Sequence, residues 1–193
     1  MELLAKFHRE LLKFNSTINL ISARSIYDAD ATHFADSIIG ARMAAQHTKS
    51  SEVYDFGTGN GFPGIILAVL YPQIRVILVE SDRRKAEFLK HSAHLMGLTN
   101  VHVLVGRVEG IADGSVSAAI CRGFANLSKT LLISRRAFAV GGGLYSLKGP
   151  EWSYEIASLP EQICSTWNTQ LLGEYRLPDT DIDHSVVVAI KTK

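Results

Sequence analysis

The chain reads as a doubly wound α/β fold, a mostly parallel sheet covered by helices on both faces and closed at its C-terminal edge by an antiparallel hairpin. From residue 51 onward, short apolar runs alternate with amphipathic stretches, as strands alternate with helices in such sheets. A glycine-rich turn, D55-F-G-T-G-N-G-F-P-G64, separates the first of these runs from the first of these stretches. Near the C-terminus two strand-like segments follow each other with no helix between them, which only antiparallel neighbours allow over so short a connection.

In chain order, residues 2–14 bring Leu3, Leu4, Phe7, Leu11, Leu12 and Phe14 near one face at i, i+3, i+4 spacing, so an amphipathic helix is expected. A second helix is expected from Asp28, a competent N-cap, to about Gln46, with Ile38, Ile39 and Met43 inward. These two make a short helical cap over residues 1–47, and residues 48–193 make the α/β core of a single domain, 1–193. The core pattern predicts strand 52–56, helix 63–70, strand 74–80, helix 82–96 closed by Gly97, and strand 101–105. Strand 116–121, helix 126–139, a break at Gly141-Gly142-Gly143 and strand 144–148 follow. The last part is less regular, with strands at 168–176 and 185–191 joined by the acidic loop 179–183.

Twenty Lys and Arg against nineteen Asp and Glu leave a net charge of +1. No whole-molecule field therefore draws the chain to nucleic acid or to a membrane, and any nucleic-acid contact must come from a local patch. Cys121 and Cys164 lack the spacing of metal ligands and read as reduced core thiols. The N-terminus has no apolar signal region, and no run approaches the ~20 residues of a membrane span. The expectation is a cytoplasmic monomer with neither a metal nor a membrane partner.

Ligands of such sheets bind at the carboxyl ends of the strands, where the first strand turns into its helix. The dinucleotide turn G-x-G-x-x-G does not fit, because Gly57 and Gly59 are followed by a glycine one residue early, Gly61, and by Phe62 at the third fingerprint position. Asp55 ends the strand where it would repel a pyrophosphate. S-adenosylmethionine carries a net positive charge and suits an acidic strand end followed by G-x-G-x-G. Glu80, ending the second strand, can accept both ribose hydroxyls, as it could those of NAD. Arg122 projects at the end of the run V116–C121, suited to the cofactor's carboxylate or to a phosphate, and Lys148 ends the next strand in the same layer. His33 and Asp36, at i, i+3, are either a structural pair or a wall of the pocket. Asn15 and Asn19 flank Ser16 and Thr17 and read as caps and turns as readily as contacts. Arg83-Arg84-Lys85, with Lys90, oppose the helix dipole and point to phosphate or to a solvated face.

At these residues the chain resembles the RsmG or GidB family, bacterial 16S small-subunit rRNA guanine-N7 methyltransferases. The family's W-N-x-x-x-N-L-T/I segment stands here as F14-N-S-T-I-N-L-I21, its R-H-x-x-D-S as T32-H-F-A-D-S37, and its D-x-G-T-G-x-G-x-P-G turn as residues 55–64. E80-S, F88-L, G106-R-V-E109, C121-R-G-F-A125 and L147-K-G149 also match. Phe14 replaces a tryptophan, Thr32 an arginine and Gly123 an alanine, and the N-terminus is shorter than usual. The resemblance implies a Rossmann-like class I methyltransferase sheet that uses S-adenosylmethionine, with 16S rRNA or the 30S particle as partner. It places cofactor contacts on Gly57, Phe62, the Val108–Glu109 backbone and Arg122. It places acceptor-side residues on Asn15, Asn19, His33, Asp36 and Lys148, with Arg122 and Lys148 positioning the reactants.

The N7 lone pair of guanine lies in the ring plane and needs no general base, and no His or Cys constellation suggests one. An acceptor base splayed from its stack would find a stacking face on Phe124 or Phe14. A methyltransferase of the same fold acting on a small molecule or protein, an NAD-dependent oxidoreductase and a non-catalytic cofactor-binding scaffold are the alternatives.

Overall fold

A computed structural model describes residues 2–22, 30–177 and 181–193, with the side chains of residues 30–32 excepted. Asp28, the Thr32 side chain and residues 178–180, which include the first two of the acidic loop, lie outside the described residues. Seven strands, β1 (Glu52–Phe56), β2 (Arg75–Glu80), β3 (Val101–Val105), β4 (Val116–Arg122), β5 (Phe138–Lys148), β6 (Trp167–Arg176) and β7 (Asp183–Lys191), form one sheet of order β3-β2-β1-β4-β5-β7-β6. The first five are parallel, and β7 runs antiparallel to both β5 and β6. The strand order reverses between β1 and β4, which opens a crevice at their carboxyl ends.

One face carries α1 (Glu2–Ile18), α2 (Asp36–His47), α3 (Gly64–Leu70) and α4 (Arg83–Met96). The other carries α5 (Leu127–Ser134), α6 (Trp152–Ala157) and α7 (Glu161–Cys164). Five of the six residues of β2 are buried, as a central parallel strand covered on both faces requires. Asp82 caps α4 by accepting hydrogen bonds from Arg84 N and Lys85 N, and Gly97, at φ 68°, ends it in the left-handed conformation. Phe7 of α1 is fully buried among Phe34, Phe62 and Phe88, so the N-terminal helices share one core with the sheet. Truncating so enclosed a ring to alanine costs about 3–5 kcal/mol.

Several boundaries and faces differ from expectation. The buried stripe of α1 is Leu4, Phe7, Leu11 and Asn15, whereas Leu12 is exposed. A π-helical turn, Asp30–Ala35, precedes α2, which buries Gly40, Ala41 and Ala44 fully, while Ile38 and Met43, expected inward, pack half-buried against the same core. Close approach explains the choice: a Cβ on Gly40 would lie 2.4 Å from Leu147 Cδ2. Helix α5 stops at Ser134, and Gly141-Gly142-Gly143 belong to β5 and do not break it. There the register with β4 jumps from Val116↔Phe138 to Ala118↔Gly143, a bulge in which a Cβ on Gly142 would sit 2.9 Å from two carbonyl oxygens. Cys121 is buried, with its thiol pushed up to about 11 chiefly by burial, but Cys164 is exposed and is no core thiol.

Candidate functional site

The crevice at the strand ends holds a cavity of about 830 Å³. Gly57, Thr58, Gly59 and Phe62 of the turn line it together with Glu80, Arg122, Lys148, His33 and Asp36. A side lobe of about 320 Å³ lies between Val108, Glu109 and Phe124, and Gly57 and Ala125 border both spaces.

The turn works because its glycines occupy backbone conformations that other residues resist. Gly57 and Gly59 stand at φ 63° and 55°, and a Cβ on Gly57 would lie 2.3 Å from the Phe124 ring. Gly61, at φ 95°, plays a different part: it abuts Ile65, Phe7 and Leu89 and does not line the cavity. Asp55 is likewise behind the wall. Its Oδ2 accepts a hydrogen bond from Gly64 N at 2.8 Å, and burial pushes its carboxyl up to about 6 against the pull of Thr58, Gly64 and Arg122. Asp55 thus ties the turn to the start of α3 and does not face a ligand. Glu80 does border the cavity. Its two oxygens accept from Gly59 N (2.9 Å) and Asp82 N (2.7 Å), which orients the carboxylate and leaves each oxygen a further lone pair.

These features fit S-adenosylmethionine. A carboxylate steered by two amides suits vicinal ribose hydroxyls, and a backbone without Cβ atoms admits close approach. Glycine, glutamate and arginine at successive strand ends would span a ribose and an amino-acid tail.

Around Arg122 the structure joins residues distant in sequence. Its guanidinium donates to Asp36 Oδ2 at 3.1 Å and to His33 Nδ1 at 2.8 Å, and lies 5.3 Å from the Phe62 ring centroid. His33, on the π-helical turn, stacks on Phe62 at 5.5 Å. Because Nδ1 accepts from a cation, the His33 proton resides on Nε2. Burial first, then Arg122, lowers the imidazole to about 4, so it is neutral at pH 7. Asp36 also accepts from Tyr175 Oη at 2.6 Å and lies 3.3 Å from His184 Nδ1. Burial raises its carboxyl, but His184, Arg122 and Tyr175 together pull it below the ordinary carboxylate value. His33 and Asp36 are therefore bridged by Arg122. Lys148 Nζ, at the end of β5, donates to Glu155 Oε2 at 2.7 Å and to Ala125 O at 3.2 Å.

Two expected acceptor-side residues are not on the cavity wall. Asn15 Oδ1 accepts from Leu20 N (2.7 Å) and Ile21 N (2.8 Å), and Asn19 takes φ 49° with its N–H on Asn15 O. Together they end α1 and turn the chain toward the cavity, which Leu20 lines. Phe14 packs on Phe88 and His91 between α1 and α4, away from the cavity. Thr58, Asn126, Glu155 and His184 do line the cavity, and Tyr175 reaches it through Asp36, yet none was singled out from sequence. Spacing does not reveal Tyr175 and His184, which meet Asp36 across more than a hundred residues, whereas Asn126 caps its own helix by accepting from Lys129 N and carries a local signal.

The model of the GidB family, described as rRNA small subunit methyltransferase G, matches residues 1–172. "Ribosomal RNA small subunit methyltransferase G 3" of Bdellovibrio bacteriovorus is 47% identical over 185 residues, covering 95% of this chain and 84% of that protein. A namesake from Paracoccus denitrificans is 32% identical over 180 residues, covering 93% and 90%. Among solved structures, a SAM-dependent methyltransferase from Aquifex aeolicus superposes with a TM-score of 0.62 at 16% identity, covering 88% of this chain and 99% of that one. A mutant of MtNAS in complex with S-adenosylmethionine gives 0.63 at 15%, covering 100% and 73%. At those identities the likeness establishes the Rossmann-like class I methyltransferase fold alone. The sequence matches, running through the turn, the Arg122 strand and Lys148, decide the rest: the chain belongs to the rRNA small subunit methyltransferase G family.

Proposed function

We propose that the protein is a S-adenosylmethionine-dependent methyltransferase that methylates N7 of a guanine in 16S rRNA, free or within the 30S particle. We propose further that it acts in the cytoplasm as a single-domain monomer, with residues 1–47 as a cap on the core 48–193. Among the described residues no helix is long and apolar enough to cross a membrane, and no group of side chains could hold a metal ion. The observation that carries the reading is the convergence of the glycine turn, Glu80, Arg122 and Lys148 on one cavity in a chain of this family.

S-adenosylmethionine supplies a methyl group made electrophilic by the sulfonium. Gly57, Gly59 and Phe62 would hold the donor's middle, Glu80 the ribose, the Val108–Glu109 backbone the adenine, and Arg122 the carboxylate. The chain then has one task, to bring acceptor, methyl and sulfur into line, which by proximity supplies roughly 7–11 kcal/mol. Asp36 fixes the guanidinium of Arg122, and Tyr175 and His184 fix Asp36. His33, neutral and already engaged with Arg122, orients and does not take a proton. No base is required, because the N7 lone pair is free.

Mapping 7-methylguanine in small-subunit rRNA from cells with and without the gene tests the proposal. Loss of one modified guanine, restored by wild-type protein but not by Arg122→Ala or Lys148→Ala, is the expected result. An unchanged modification pattern, or transfer by the purified protein without RNA, would sink it.

A further inference from the structure

We infer that Lys148 and Glu155 together read the Watson–Crick edge of the acceptor base and restrict transfer to guanine, an inference that rests on the guanine reading above. Lys148 lies at the end of β5, its side chain 10% exposed, and Glu155 on α6, 24% exposed, and both line the main cavity. The Glu155 carboxylate is held by its Oε2, which accepts from Lys148 Nζ and from Leu127 N. Among the described residues no hydrogen bond reaches Oε1. Lys148 Nζ, with two acceptors among the described residues in Ala125 O and Glu155, retains a third hydrogen. The pair therefore presents a donor beside an acceptor, both anchored in the protein.

Guanine offers the complement, the O6 acceptor beside the N1–H and N2–H donors. Adenine offers the reverse, an amino donor beside the N1 acceptor, which would set like against like on both groups. With O6 on Lys148, N7 faces the same side, because O6 and N7 share one edge of the purine. That side is the sheet, where Arg122 pairs with Leu147, the neighbour of Lys148. A site built to satisfy N–H groups rejects an analogue lacking them strongly, because its own buried polar groups are then left unpaired.

The experiment is a chemical double-mutant cycle. Small-subunit particles are reconstituted with guanosine or with inosine, which lacks the N2 amino group, at the modified position, and kcat/KM is measured for wild type and Glu155→Gln. Wild type should lose about 10-fold or more on inosine, and Glu155→Gln about 10- to 100-fold on guanosine. Glu155→Gln should then show little further loss on inosine, since both changes remove one interaction. Its affinity for S-adenosylmethionine should match wild type, which separates a lost base contact from a damaged fold. Equal rates of wild type on guanosine and inosine would overturn the inference whatever the variant does, as would equal inosine penalties in the two proteins. Failure of wild type to form 7-methylguanine at all would overturn the functional reading along with it.

Discussion

Ten consecutive residues make the glycine turn, whereas the side chains around Arg122 come from the π-helical turn, α2, β4, β6 and β7, with Phe62 of the turn the one residue the two regions share. The turn is shaped chiefly by local backbone geometry, three glycines at positive φ and a buried carboxylate nine residues from the amide it binds, with Glu80 of the neighbouring strand accepting from Gly59 N. The Arg122 cluster is held by side chains far apart in the chain, Asp36 meeting both Tyr175, 139 residues on, and His184, further still. A local device tolerates change elsewhere in the chain, and an assembled one depends on every segment that reaches it.

Arg122→Ala should expose the contrast most sharply. It leaves Asp36 buried without its cation, a loss of about 3–5 kcal/mol in comparable pairs. Methyl transfer should fall at least about 1000-fold, and cofactor affinity should drop as well, read by calorimetric titration. Normal affinity and activity would show that the cluster is scaffolding only.

Gly57→Ala attacks the other region. The left-handed backbone costs roughly 1–2 kcal/mol for a residue with a Cβ, and the new methyl meets the Phe124 ring. Cofactor affinity should fall about 10-fold or more, with the Arg122 cluster intact. Adding Phe124→Ala should restore space but not conformation, so a full rescue would show that the backbone tolerates the left-handed form.

Asn15→Ala should separate structure from chemistry. It strands two N–H groups and so costs about 1–3 kcal/mol in urea unfolding. The turnover of the folded enzyme should be unchanged, and a selective loss of turnover would return Asn15 to the acceptor site.

The smallest effect, and the one that sets the two regions against each other, is in pH. Asp55, raised to about 6 from 3.8, binds its proton more tightly folded than unfolded, so the turn gains stability as pH falls from about 6 to 4. His33, lowered to about 4 from 6.5, is protonated first in the unfolded chain, so its cluster loses stability as pH falls from about 6.5 to 4. Asp36, held below the ordinary carboxylate value, loses its contribution only as pH falls through that lowered value. Asp55→Asn should abolish the gain and His33→Gln the loss in urea titrations across that range. Parallel pH profiles for wild type and both variants would refute the opposition.

The same division governs what could be foreseen. Strand–helix alternation, the antiparallel C-terminal edge, the cap and end of α4 and the positive-φ glycines follow from nearest neighbours, and a sequence displays these directly. Features decided by tertiary partners are not legible in this way. Helix α2 turned Gly40 inward because Leu147 presses on it, and the triple glycine became a bulge because β4 needed a partner there. Asp55 was rightly placed at the strand end but turned behind the turn and not toward the ligand.

The sequence by itself determined the sheet and the turn, because hydrophobic period, capping and glycine freedom are properties of short segments, but its charge argument from Asp55 does not survive, since that carboxylate is buried behind the turn. Only the tertiary structure decided that Arg122 is gripped by Asp36 and His33, that Tyr175 and His184 stand behind them, and that Glu155 meets Lys148. The reason is physical. A buried charge is stable only when paired, and which partner reaches it depends on how distant segments pack against the same strand ends.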